Sequence, residues 1–264
     1  MIKITLVTVT YNAETVLQRT LDSVFDQKYA GIEHIIIDGA STDNTVAMAK
    51  DYMERSFASD RGHEVKLLVE PDNGIYDAMN KGLNMATGNY ICFLNAGDAL
   101  PEADTLKKLV GCILAASPQD NNDSMPAVVY GNTDIVDGEG KFLCHRRLSP
   151  PENLTWRSFR NGMLVCHQAF YARTDIAKGV SYNLAYHYSA DYDWCIRIMK
   201  SAEDSGLRLL DSGMLLALYL KEGTTTRHHK ASLRERFSIM SGYYGRVSTC
   251  LRHIWFAFRS FGRS

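Results

Sequence analysis

The chain reads as an α/β protein: a mostly parallel central sheet with helices on both faces, plus a helical extension at the C-terminus. Three observations predict it. From residue 2 to about 117, β-branched apolar runs alternate with stretches whose apolar residues recur at helical spacing. Those runs are apolar almost throughout, as strands covered on both faces must be. Beyond residue 230 apolar residues again recur every three or four positions.

The elements follow in order. Ile2 to Thr10 is the first strand, and Glu14 to Gln27 a helix with Val16, Leu17, Leu21, Val24 and Phe25 on one face. Ile32 to Ile37 is the second strand, after which Asp43-Asn44-Thr45 caps a helix through about Phe57. Val65 to Val69 and a helix from Ile75 to Met85 form the third pair. Tyr90 to Leu94 is the fourth strand, and Pro101 suits the first turn of a helix ending near Ala116. The polar stretch Ser117 to Pro126 marks a surface loop, and the regular alternation stops there. Short strands are expected at Ala127 to Tyr130, Lys141 to Cys144 and Val165 to Ala172, then a helix at Asp191 to Ala202 and a strand near Leu207 to Leu210. This predicts a nucleotide-binding half over 1–117, a specificity half built onto the same sheet over 118–230, and an extension over 231–264.

Composition narrows the function. With 264 residues, 45% hydrophobic and 22% charged, the chain is not mainly disordered, collagenous or coiled-coil. A formal charge of −1 disfavours long nucleic acid as a partner. That sum conceals a division, because residues 231–264 hold six arginines and one glutamate, +5, which leaves −6 on residues 1–230. The six cysteines include no Cys-x-x-Cys pair, and Met1 to Val9 reads as a strand rather than a signal peptide. A reduced, cytoplasmic chain is expected, with no window near the roughly 18 apolar residues of a membrane-spanning helix.

Ligands of open parallel sheets sit at the carboxyl ends of the strands. Here those ends read Thr8-Val9-Thr10-Tyr11-Asn12, Asp38-Gly39-Ala40-Ser41-Thr42-Asp43, Glu70-Pro71-Asp72-Asn73-Gly74 and Asn95-Ala96-Gly97-Asp98. Such converging carboxylates need a cation or ligand hydroxyls to compensate them. Neither Gly-x-Gly-x-x-Gly nor a Walker loop follows the first strand, so no glycine cradle is present for a diphosphate. A hard divalent cation, Mg²⁺ or Mn²⁺, on Asp98 is the natural substitute.

These four blocks, with Ile75-Tyr76-Asp77-Ala78-Met79-Asn80-Lys81-Gly82 continuing the third, resemble the signature segments of family 2 glycosyltransferases of the GT-A fold. The resemblance is strong over residues 2 to 100 and weaker over 160 to 230. It implies that Thr10 and Tyr11 hold the nucleotide base with Glu14 nearby, and that Asp38 binds base or ribose. It places Asn73 and Gly74 along the nucleotide-sugar, with Asp77 and Asn80 facing the donor. Asp98 matches the last aspartate of the family's metal motif, although this block supplies a single carboxylate. Asp43 reads instead as the turn and cap of its helix.

In the second half, Ala190-Asp191-Tyr192-Asp193 is similar to the family's acidic block at a helix start, which implies Asp191 as catalytic base with Asp193 as contender. Cys166-His167-Gln168 resembles a His-Gln block near the acceptor, Arg227 would face the diphosphate, and His228 would be a further metal ligand or a plain surface histidine. The implied activity is inverting transfer of a sugar from a nucleoside diphosphate sugar to a hydroxyl of a glycan, plausibly lipid-linked, as in surface polysaccharide assembly. The alternative is a catalytically silent nucleotide-sugar or glycan-binding module of the same fold. In the extension, Phe237, Met240, Tyr244, Val247, Leu251, Ile254, Trp255 and Phe258 form a helical stripe flanked by arginines. It suits peripheral contact with the inner face of a membrane, packing on its own domain, or a second copy in a homodimer.

Overall fold

A computed structural model describes residues 1–117, 125–221 and 229–261. The first half alternates strictly: β1 (Ile4–Thr10), α1 (Leu17–Phe25), β2 (Ile32–Asp38), α2 (Thr45–Ala58), β3 (Glu64–Val69), α3 (Ile75–Met85), β4 (Tyr90–Phe93) and α4 (Thr105–Ala116). The second half holds β5 (Val128–Val136), β6 (Phe142–His145), β7 (Phe170–Arg173), α5 (Thr174–Lys178), α6 (Ala190–Asp204), β8 (Leu209–Leu220), α7 (His229–Tyr244) and α8 (Arg246–Phe261).

All eight strands join one sheet in the order β3-β2-β1-β4-β7-β5-β6, with β8 also paired to β5. β1 runs parallel to β2 and β4, and β2 parallel to β3. β7 lies antiparallel between β4 and β5, stitching the two halves into one sheet. Register sets Thr10 beside Asp38 and Asp38 beside Val69, so the polar strand ends share one edge. β1, β2 and β4 are buried at every residue and so are covered on both faces. On one face Leu17, Leu21, Ile36 and Tyr52 pack under α1 and α2. On the other, the larger core gathers Phe93, Tyr182 and Trp194, with Tyr182 stacked on Trp194 at 5.0 Å between ring centroids and Phe93 edge-on to both.

Several boundaries differ from those the sequence predicts. α4 begins at Thr105, and Pro101 stays in the preceding turn, where Thr105 Oγ1 accepts the Glu102 N–H at 3.0 Å. The expected strand from Val165 shortens to β7, because His167–Ala169 forms a 3₁₀ turn. β8 continues to Leu220 through Asp211-Ser212-Gly213, a turn-like sequence that a register shift and Gly213 at φ +64° absorb within the strand. The C-terminal stripe is two helices, broken at Gly245 with φ +82°.

Candidate active site

The carboxyl edge is built first from backbone. Asn12 and Ala40 both hold left-handed φ, +48° and +61°, which is uncommon for residues other than glycine and asparagine. Asn12 Oδ1 accepts the Thr42 N–H at 2.9 Å, and Ser41 Oγ accepts the Asn12 N–H at 2.9 Å. Asp38 is fully buried and accepts from Thr10 Oγ1, Ser41 N and Ser41 Oγ, each at 2.7 Å. Tyr11 keeps its ring exposed. Glu14 accepts the Asn44 N–H at 2.9 Å, while Asp43 accepts those of Glu14 and Thr45, so these two carboxylates lock the first two loops together.

At the start of α3, Asp77 accepts both the backbone and the side-chain N–H groups of Asn73, at 2.9 and 3.2 Å, behind Gly74 at φ +113°. Gly39 lets the Asp72 carboxylate close in, since a Cβ there would lie 2.5 Å from Asp72 Oδ2. Asn80 lies one turn further along α3. Its amide pairs at both ends with the Tyr182 backbone, at 3.0 and 2.7 Å, and so braces the loop before α6.

The centre of the site is a pair of carboxylates linked through the 3₁₀ turn. Gln168 Nε2 donates to Asp98 Oδ2 at 2.8 Å, and the Leu220 N–H to Asp98 Oδ1 at 2.9 Å. The preceding residue, His167, points Nδ1 at Asp191 Oδ2, 3.2 Å away. Tyr76 OH donates to Asp191 Oδ1 at 3.1 Å, and Asn95 Nδ2 lies 3.1 Å from His167 Nε2. With Asp191 ionised, His167 donates its Nδ1–H to that carboxylate.

The two carboxyls titrate in opposite senses. Burial pushes Asp98, 3% exposed, up to about 6, although Leu220, Gln168 and the positive charges of His167 and Arg19 pull the other way. Burial also pushes Asp191 up, but the hydrogen bond and charge of His167, with the Arg236 charge, hold it below the usual aspartate value. Asp193 faces elsewhere: it accepts from Arg197 Nε at 2.7 Å and Tyr243 OH at 2.9 Å.

Tyr76, Asn95, Gln168 and Arg19 were not among the candidates the sequence singles out. Arg19 donates to the Gly97 and Asp137 carbonyls beside Asp98. Asn95 and Gln168 sit inside the motif blocks, where their neighbourhood was the available signal. Arg227 and His228 lie outside the described residues.

Among the described residues no three of His, Cys, Asp and Glu converge as a metal cluster. A hard cation still fits at Asp98. Its carboxylate carries an uncompensated burial cost, and Asn95 Oδ1, an oxygen donor in the same turn, is buried with no hydrogen-bond partner. Mg²⁺ and Mn²⁺ need few protein oxygens when phosphate and water complete the shell.

At the carboxyl ends of its strands the chain thus brings together a polar sheet edge and a linked pair of buried carboxylates of unlike titration, without a glycine cradle for a dinucleotide. Residues 5–178 match the glycosyl transferase family 2 model, and the chain belongs to that family. Asp191 lies beyond the matched stretch. A PGL/p-HBAD biosynthesis glycosyltransferase of Mycobacterium bovis BCG is 34% identical over 189 residues, 71% of this chain and 66% of that protein, so the match spans just under two thirds of this relative. An uncharacterised glycosyltransferase of Mycobacterium tuberculosis is 31% identical over 208 residues, 78% of this chain and 72% of its own. Among solved structures, Staphylococcus aureus TarS 1–349 superposes with a TM-score of 0.67 at 16% identity, over 96% of this chain and 72% of that one. A mannosyltransferase of Pyrobaculum calidifontis, crystallised with GDP-Man and Mn²⁺, gives 0.56 at 16% identity, over 95% and 74%. At such identities these structures bear on the fold alone.

Proposed function

We propose that the chain is an inverting glycosyltransferase that moves a sugar from a nucleoside diphosphate sugar to a hydroxyl of a lipid-linked glycan. The observation that carries this reading is the 3₁₀ turn of His167 and Gln168, which links Asp98 to Asp191. One carboxylate suits a cation and its diphosphate, and the other suits the proton of a hydroxyl.

Asp191, ionised at neutral pH, takes the acceptor proton as that oxygen attacks the anomeric carbon opposite the diphosphate. The bond from that carbon to the diphosphate breaks in the same displacement, which inverts configuration. His167, held by Asn95, and Tyr76 fix the Asp191 carboxylate in one orientation. Thr10, Tyr11, Glu14 and Asp38 shape the base and ribose end, and Asn73, Gly74 and Asp77 the sugar end, while Asn80 acts through the Tyr182 loop. A Mg²⁺ or Mn²⁺ ion held by Asp98 and Asn95 Oδ1 would neutralise the leaving diphosphate. The donor proposed here is of the class with which two fold neighbours were crystallised, UDP-GlcNAc in one and GDP-Man with Mn²⁺ in the other.

The test is Asp191→Asn, assayed for transfer and, by thermal shift, for binding of UDP and GDP with Mn²⁺ or chelator. Transfer should fall by at least about 10²-fold while nucleotide binding persists. Unchanged turnover would remove Asp191 from the role of base. A wild-type chain that binds nucleotide-sugar but transfers to no hydroxyl would favour the silent binding module.

A further inference from the structure

The extension carries a surface that the transfer reaction does not use. α8 folds back on α7 at Gly245 and packs one face inward: Thr249 is fully buried, and His253 meets Phe237 at 5.1 Å between ring centroids and Phe256 at 5.7 Å. The opposite face presents Val247, Leu251 and Ile254, respectively 77%, 64% and 54% exposed, at helical steps of four and three residues. Trp255, 44% exposed, borders them. Packing on the chain's own domain therefore does not account for this stripe among the described residues.

Charge decides what would cover it. Helical spacing sets Arg246 along one flank of the stripe and Arg252 along the other. No Asp or Glu follows Glu235 in the sequence, so the segment has no acidic partner of its own to offer. Two copies pairing α8 to α8 would bring these arginines together uncompensated. An anionic bilayer surface does the reverse: apolar side chains settle at the acyl boundary while flanking guanidinium groups meet lipid phosphates. No described helix is long and apolar enough to cross a membrane, so the contact would be in the plane of the surface.

We propose that α8 docks the protein on an anionic lipid surface through Val247, Leu251 and Ile254, with Arg246 and Arg252 binding the headgroups. The docked hairpin reaches the active site through its own bonds. On α7, Glu235 accepts the His187 and Tyr188 N–H groups, each at 2.8 Å, and Tyr243 donates to Asp193, so α7 braces the segment that leads into Asp191.

The experiment is co-sedimentation of the full chain with phosphatidylcholine vesicles, with and without phosphatidylglycerol, in the absence of donor and acceptor, so it stands apart from the transfer reading. Binding should require phosphatidylglycerol and weaken with salt. Leu251→Glu with Ile254→Glu should abolish it while circular dichroism stays unchanged. Arg246→Glu with Arg252→Glu should weaken it by about tenfold or more, and these changes at the helix edges serve if the apolar pair fails to fold. Absence of binding to the anionic vesicles, or equal binding to pure phosphatidylcholine, would overturn the proposal. So would a dimer by light scattering that Leu251→Glu dissociates in a chain that ignores vesicles.

Discussion

A carboxylate becomes a base or a metal ligand according to what touches it, and His167 shows how one side chain sets that role for Asp191. Removing its Nδ1–H leaves burial to push the Asp191 carboxyl upward unopposed by its main hydrogen bond. In His167→Ala we therefore expect kcat to fall by about 10–100-fold with little change in donor KM, and the acid limb of the pH–rate profile to move to higher pH. A change confined to KM, or a fixed acid limb, would return His167 to a packing role. Asp98 and Asp191 are singled out in the sequence because one stands at a strand end and the other in a block similar to the family's acidic segment at a helix start. Tyr76 is not, since its bond to Asp191 spans 115 residues and depends on how α3 and α6 meet. Gln168 and Asn95 are of the same kind, neutral amides whose purpose appears only beside the groups they serve.

At the scale of elements, the legible part is the part with one simple rule. β1, β2 and β4 are buried along their whole length, and a mostly apolar run announces each, whereas β3 at the sheet edge is only partly buried. β5 and β8 do not obey that rule: they carry Gly131, Asn132, Asp134, Asp211 and Gly213, and their long parallel pairing includes register shifts. Their true lengths come from each other, not from local pattern. Helices of the first half are tied to their strands by close contacts that can be tested singly. Gly82 on α3 sits against β1, where an added Cβ would lie 2.4 Å from Val7 Cγ1, and Ile37 lies just beyond. Gly82→Ala should thus destabilise the fold by about 1–3 kcal/mol in urea unfolding, despite alanine's better helix propensity. A stabilised variant would mean that α3 can lift off the sheet without loss.

The molecule as a whole buries charge in two opposed ways, and acid separates them. Glu33 on β2 is fully buried; burial pushes its carboxyl up, but Lys66 at 2.7 Å, Thr5 Oγ1 at 2.6 Å and Thr87 bring it down to about 2. His34 beside it, enclosed by Thr8 and Tyr52, is driven down to about 3 by burial and by nearby His63. Both groups hold fewer protons folded than unfolded, so His34 costs stability as pH falls below about 6.5 and Glu33 below about 4.5. Asp98 has the reverse sign. Its folded carboxyl, raised from 3.8 to about 6, takes up a proton before the unfolded chain does, and so stabilises the fold as pH falls from about 6 to 4. In chelator at pH 7.5, where burial of the ionised group is a cost, Asp98→Asn should be more stable than wild type by up to about 2–3 kcal/mol. That advantage should shrink by about 1.4 kcal/mol per pH unit between pH 6 and 4, read from urea unfolding at each pH. The same variant should lose the extra stabilisation that Mn²⁺ with a nucleoside diphosphate confers on wild type. An advantage that stays constant with pH would show that Asp98 is not the group whose charge the fold resists. Gain in the empty state and loss in the loaded one would identify Asp98 as a charge kept for its ligand rather than for the fold.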